Sequence, residues 1–309
     1  MQNTNWDSLS NDELTALALK LKKEKNCIIL AHNYQCTEVQ KIADYVGDSL
    51  QMAKVAAKTD AKMILLCGIR IMAETAKALN QEKRVLLSHA QARCPLAEMK
   101  KVEELRELKS KHPEAEVVCY VNSTTDLKAE STITCTSGNV AQVINALPKD
   151  KEIIFVPDNN IGDWASYQTG RKLKMWDGYC YVHNAITLDE VLLTKEKHPD
   201  YTLLVHPECK LEICKIADHV CSTGQMIEFI KGHDKIIVGT EIGLFHQMAE
   251  KYPEKQLVPL SNKMNCVDMQ KTTLKTAVKT LVTERNEIFL SKKTSEKANE
   301  SLARMLEYV

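Results

Sequence analysis

Three cysteines stand at one repeated interval: from Cys94 to Cys180 and from Cys180 to Cys266 the chain runs 86 residues each time. Each follows a short apolar run, Val85-Leu86-Leu87, Leu173-Lys174-Met175-Trp176 or Leu257-Val258-Pro259-Leu260, and each precedes a segment able to form a helix. Thiolates are soft metal ligands, but the chain has no CxxC pair, so no zinc or ferredoxin-type site can be built from close neighbours. A site made of these three must be assembled at long range. Three thiols without a fourth protein ligand suit a 4Fe-4S cluster with one iron left open as a Lewis acid. His183, three positions past Cys180, could instead close a Cys3His zinc site.

Polar side chains recur where other apolar runs end. His32 and Tyr34 follow Cys27-Ile28-Ile29-Leu30, Tyr120 and Asn122 flank Val121, and His206 and Glu208 flank Pro207. Singly, such residues read as hydrogen-bonded packing; their recurrence in three places argues for a shared ligand. Ser49, Ser137 and Thr223 lie 17, 15 and 17 residues beyond His32, Asn122 and His206, each just before a helical pattern. A hydroxyl there is ordinarily an N-cap. Three helix starts facing one axis would make a pocket for carboxylate or phosphate groups, which implies a small polyanionic substrate.

The elements that must position these groups follow from pattern. Apolar runs of four to six residues alternate with longer helical patterns, the signature of buried parallel strands joined by crossover helices. Three stretches share this grammar, which predicts an α/β protein triplicated from a small three-layer αβα domain, with three strands in each short parallel sheet. The expected domains are 1–110 with an N-terminal helix, 111–198, and 199–309 with a polar helical tail. Ligand groups of parallel α/β sheets sit past the carboxyl ends of the strands, where these residues fall.

Composition excludes several classes. The 41 basic and 41 acidic residues cancel, so nothing in the bulk charge favours nucleic acid or a membrane surface. Met1 to Asn26 lacks the apolar stretch of a signal peptide, and no run approaches the ~18 residues of a membrane span; a soluble, cytoplasmic protein is expected. Eleven cysteines in a reducing compartment point to metal binding or catalysis rather than disulfides. Cys27, Cys67 and Cys119 on strands, and Cys214 and Cys221 in a second, irregular Cys/His group, read as buried small hydrophobes.

The chain resembles the quinolinate synthases of NAD biosynthesis from about Ile28 to Leu274. The matching segments are Ala31-His32-Asn33-Tyr34-Gln35, Gly47-Asp48-Ser49, Tyr120-Val121-Asn122, Cys135-Thr136-Ser137, Val205-His206-Pro207-Glu208-Cys209, Ser222-Thr223-Gly224, Gly239-Thr240-Glu241 and Met264-Asn265-Cys266. The resemblance implies a triangular pseudo-threefold fold around a central cavity and a 4Fe-4S cluster held by Cys94, Cys180 and Cys266. It implies condensation of iminoaspartate (iminosuccinate) with dihydroxyacetone phosphate to quinolinate, with loss of phosphate and two waters, and a functional link to L-aspartate oxidase or aspartate dehydrogenase. The implied substrate-binding residues are His32, Ser49, Tyr120, Val121, Asn122, Ser137, His206, Pro207, Glu208 and Thr223. Tyr34, Tyr120, His32 and Glu208 would move protons, with Glu208 the first choice as base. Some family members carry a CxxCxxC around the third ligand; this chain has only Cys266 there. Two other readings stay open on the residues alone: a three-cysteine enzyme like those of diphthamide synthesis, and a metabolite-binding module with structural zinc.

Overall fold

Continuous apolar runs make the strands, because a parallel strand covered on both faces has no solvent side to alternate with. In the computed structural model, which describes residues 6–308, the first sheet holds β1 (Cys27–His32), β2 (Tyr45–Gly47), β3 (Met63–Cys67) and β4 (Arg84–Leu87). The second holds β5 (Glu116–Tyr120), β6 (Ile133–Cys135), β7 (Ile153–Val156) and β8 (Leu173–Met175). The third holds β9 (Thr202–Val205), β10 (His219–Val220), β11 (Lys235–Gly239) and β12 (Gln256–Pro259). All pairs are parallel, and the order is the same three times: β2-β1-β3-β4, β6-β5-β7-β8 and β10-β9-β11-β12. The chain is a triplicated α/β protein.

Each sheet has four strands where the sequence pattern predicts three. The added members, β2, β6 and β10, are edge strands of two or three residues, such as His219 and Val220 beside Leu204 and Val205. Strands that short carry no apolar run, so their pairing is set by the neighbour they dock on rather than by their own composition.

The chain divides into two compact units, residues 1–94 with 267–295, and residues 95–266 with 296–309. In the first, the helix Asn11–Glu24 opens with a capping box in which Ser10 and Glu13 satisfy each other's backbone amides,. It lays Leu14, Ala18 and Leu21 on Ile29, Ala31 and Leu65 of the sheet, beside Ala277, Val278 and Leu281 from the helix Leu274–Thr283. Each buried Leu, Ile or Val among these contributes roughly 1.5–3 kcal/mol. In the second unit one core gathers Val117, Cys119, Ile154 and Val156, and another gathers Leu203, Val205, Ile237, Leu260 and Met264.

The polar tail is a helix, Lys292–Met305, with Ala298, Ser301, Leu302 and Met305 fully buried. Ser301 donates to the Lys128 carbonyl at 2.9 Å and lies 3.1 Å from the Thr134 hydroxyl, while Arg304 donates to the Thr132 carbonyl. The tail therefore docks on the end of the second sheet's β5–β6 connection. Ser301→Ala removes the hydroxyl and leaves the Thr134 hydroxyl without this partner, so a stability loss of about 1–3 kcal/mol is expected. Thermal melting against the parent protein checks it.

Candidate active site

The three cysteines occupy equivalent places. Each stands in the loop after the last strand of its sheet, directly before a four-residue helix: Pro95–Glu98, Tyr181–Asn184 or Val267–Gln270. All three are partly exposed. In each case the carbonyl two residues earlier accepts a hydrogen bond from the first amide of the helix that follows the third strand. Arg70 N–H reaches Ala92 O, Asn159 N–H reaches Gly178 O, and Ile242 N–H reaches Met264 O, every one at 2.7 Å. An orphan donor of a helix N-terminus is thereby used to fix a cysteine loop. The remaining thiols differ. Burial pushes Cys27 and Cys214 up to about 12 and Cys221 to about 11, and raises Cys67, Cys119, Cys135 and Cys209. Burial in apolar surroundings favours the thiol over the thiolate at these positions. Cys36 lies exposed at the start of the helix Thr37–Ile42.

Beside Cys180 the second unit builds a buried polar cluster on Glu208, which is 3% exposed. The Tyr120 and Asn122 side chains come from the end of β5, His206 and Glu208 from the end of β9, and His183 from the helix Tyr181–Asn184. His183 Nδ1 lies 2.9 Å from Glu208 Oε2 and 3.3 Å from Cys180 Sγ; its Nε2 lies 3.0 Å from the Thr240 hydroxyl. His206 Nδ1 sits 3.4 Å from the same carboxylate and its ring stacks on His183 at 4.8 Å. Asn122 Nδ2 reaches Tyr120 OH at 3.0 Å and Glu208 Oε1 at 3.4 Å. Burial alone would raise the Glu208 carboxyl. The His183 hydrogen bond and the two histidine charges outweigh it, with Tyr120 adding to them, and lower it to about 2,. Asp158 moves the other way, pushed up by burial and then by the neighbouring Glu208 charge, against the amides that it accepts. Cys180, His183 and Glu208 bring ligand atoms within 4.8 Å of one another, a group that could hold a metal ion.

The expected substrate residues fall in both units. In the first, His32 is buried at the end of β1, its Nδ1 accepting from the Tyr34 amide at 3.2 Å. His206 repeats that bond with the Glu208 amide at 3.3 Å, so His32-Asn33-Tyr34 and His206-Pro207-Glu208 share one local conformation. In the second, Val121 and Pro207 are buried, and Val121 N–H donates to Cys135 O at 2.8 Å. The hydroxyls expected as N-caps are not the caps. Asp48 caps the helix Ser49–Lys58 through the Gln51 amide, and Ser222 caps Thr223–Phe229 through the Gln225 amide, which leaves Ser49 and Thr223 as first helical residues. Asn139 precedes Val140–Ala146, with Ser137 in the turn before it. Two of these helix starts meet, since a Cβ on Gly138 would sit 3.3 Å from Ser222 Oγ. The buried Asn122 Oδ1 has no hydrogen-bond partner, which a bound ligand would explain.

Sequence reasoning gave no role to Asp158 or Asn160, nor to Glu241, which it met only within the matching segment Gly239-Thr240-Glu241. Asn160 donates to the Glu208 carbonyl at 3.0 Å and to Asn184 at 3.2 Å, holding the loop after β9 against the helix that follows Cys180. Asp158 and Glu241 each stand just past a third strand as the N-cap of a helix. Glu241 is pushed up to about 7 by burial, opposed by the amides of Cys266 and Gly243. The signal for Asp158 and Glu241 is their place just past the end of a strand,.

Fold and site together define an α/β protein of three like-ordered parallel sheets, each followed by a latched cysteine loop, with a buried carboxylate–histidine cluster beside one of them. Residues 17–307 match the family model described as quinolinate synthetase A protein. Proteins named quinolinate synthase match along nearly their whole length. That of Methanoregula boonei is 46% identical over 290 residues, 93% of this chain and 96% of the relative. That of Desulforudis audaxviator is 43% identical over 298 residues, 96% and 98% of the two chains, and that of Caldicellulosiruptor saccharolyticus 42% over 291, 93% and 96%. The chain belongs to the quinolinate synthetase A family of enzymes. Among the described residues, no helix is long and apolar enough to cross a membrane.

The latch leaves no room at Gly178, where a Cβ would lie 2.3 Å from the Pro157 carbonyl oxygen; at Gly232 nothing lies within 4 Å. Gly178→Ala is expected to lose about 1–3 kcal/mol through the forced backbone shift, and Gly232→Ala less than about 1 kcal/mol in either direction. Paired melting curves check the difference.

Proposed function

We propose that the chain is a quinolinate synthase of NAD biosynthesis, condensing iminoaspartate with dihydroxyacetone phosphate to quinolinate with loss of phosphate and two waters. In this reading Cys94, Cys180 and Cys266 hold a 4Fe-4S cluster, one from each of three repeated domains. The observation that carries it is the threefold recurrence of the cysteine loop with its 2.7 Å helix latch, a repetition that packing alone does not require. The donor set fits: three soft thiols in partly exposed, backbone-fixed loops, set apart from the thiols that burial holds protonated. When bound, the cluster would supply an open iron as a Lewis acid for dehydration.

The chain's own residues would do the rest. Both substrates are anionic, and Ser49, Ser137, Thr223, Asn122 and His206 would bind their carboxylate and phosphate groups. Holding the two reactants side by side can remove a large part of the barrier. Glu208 stays ionised in its histidine pocket, which makes it a weak base by itself; as an anion against His183 it would orient that ring and stabilise its imidazolium form when the histidine takes up a proton. His32 and Tyr34, in the same local conformation as His206 and Glu208, are the matching donors from the first repeat. The Cys180–His183–Glu208 group favours a second reading, a zinc ion held there. Against it, both His183 ring nitrogens already have protein partners, Glu208 and Thr240.

The test is an anaerobic assay for quinolinate from the two substrates, with iron measured on each variant. Cys94→Ala, Cys180→Ala and Cys266→Ala are each expected to lose bound iron and all product formation, whereas Cys27→Ala keeps both. Intact turnover in any of the first three refutes the ligand assignment. Glu208→Gln is expected to keep iron and lose at least about 100-fold in turnover, the usual worth of a positioned proton-transfer group. Unchanged turnover removes Glu208 from the mechanism.

A further inference from the structure

We infer that Asp158 and Glu241 are positioning residues that hold the Cys180 and Cys266 loops through the cysteines' own backbone amides. Asp158 Oδ1 accepts from the Ile161 amide at 3.0 Å, and its other oxygen accepts from Cys180 N–H at 3.2 Å. Glu241 repeats the device, with Oε2 on the Gly243 amide at 2.7 Å and Oε1 on Cys266 N–H at 3.1 Å. Each side chain is 1% exposed. No lysine or arginine forms an ion pair with either among the described residues, an expensive way to cap a helix. A neutral cap such as Ser or Asn would satisfy the helix at far lower cost.

What a carboxylate adds is a second acceptor oxygen. Asn or Gln offers one acceptor and turns an N–H donor toward the second amide. Each acid therefore ties the start of the helix after the third strand to the cysteine itself, one bond beyond the carbonyl latch to Gly178 or Met264. The first repeat does it differently: Ile69 takes the cap position, and the amide beside the cysteine, Arg93 N–H, points to Asp268 at 3.4 Å. The helix after β3 thus starts on an apolar residue in place of an acidic cap, and the acidic cap tie is seen at the Cys180 and Cys266 loops. Its bearing on metal binding rests on the ligand reading proposed above; the loop restraint does not.

Hydrogen exchange on the metal-free protein, read by peptide mass spectrometry, separates the two. In Asp158→Ser, which keeps a capping hydroxyl but cannot reach Cys180, exchange in 177–184 should speed about tenfold, the loss of one charge-assisted bond, with 263–270 unchanged. Glu241→Ser should give the reverse pattern. Thr187→Ala, which removes an ordinary cap from the helix Leu188–Lys197, should leave both segments alone. After iron–sulfide reconstitution, both Ser variants should surrender iron to a chelator severalfold faster than the parent. If a Ser variant does not fold, Asp158→Asn and Glu241→Gln carry the same readout. Unchanged exchange in both segments would overturn the inference and make the two acids plain caps. Failure of the parent to take up iron would overturn the ligand reading alone, since the exchange result still decides the latch.

Discussion

One hydrogen bond, made three times, organises this chain. The first amide of the helix after the third strand has no partner within its own helix, and in each repeat it is given to the carbonyl two residues before a cysteine, at 2.7 Å. A loop after the last strand would otherwise be the most mobile part of a short α/β unit. Because the bond is backbone to backbone, it depends on topology rather than side-chain identity, and it repeats wherever the order of β1 to β4 repeats. The sheet places the helix, the helix places the loop, and the loop presents the thiol.

The second constraint is electrostatic. Glu208, Asp158 and Glu241 are all nearly inaccessible, and a buried carboxylate persists only where hydrogen bonds replace water. Glu208 obtains them from His183, Asn122 and Tyr120, with the His206 ring beside it, and is held as the anion. Asp158 and Glu241 obtain them from backbone amides and are pushed up by burial. The same chemical group is therefore tuned in opposite directions, Glu208 down by its histidines, Asp158 and Glu241 up by burial,.

Much of this was legible in the sequence. The 86-residue spacing of the cysteines and the long apolar strands, such as Ile153–Val156, needed only periodicity, because a fully buried strand must be apolar throughout. The same rule places His32, Tyr120, His206 and Glu208 at strand ends, where the structure has them. What escaped was set by tertiary context. β10, two residues long, has no pattern of its own. The caps fell one residue earlier than read at Asp48 and Ser222, because Asp and Ser both make good caps and only backbone geometry decides between neighbours. Asp158 and Glu241 looked like ordinary polar residues after a strand, and their second hydrogen bond, to an amide more than twenty residues away, leaves no local trace.

Metal content is the most direct measure of the central proposal, that Cys94, Cys180 and Cys266 are the ligands of one cluster. Protein purified without oxygen should be brown and carry about four irons with matching sulfide per chain. A colourless protein carrying stoichiometric zinc and no sulfide would contradict it.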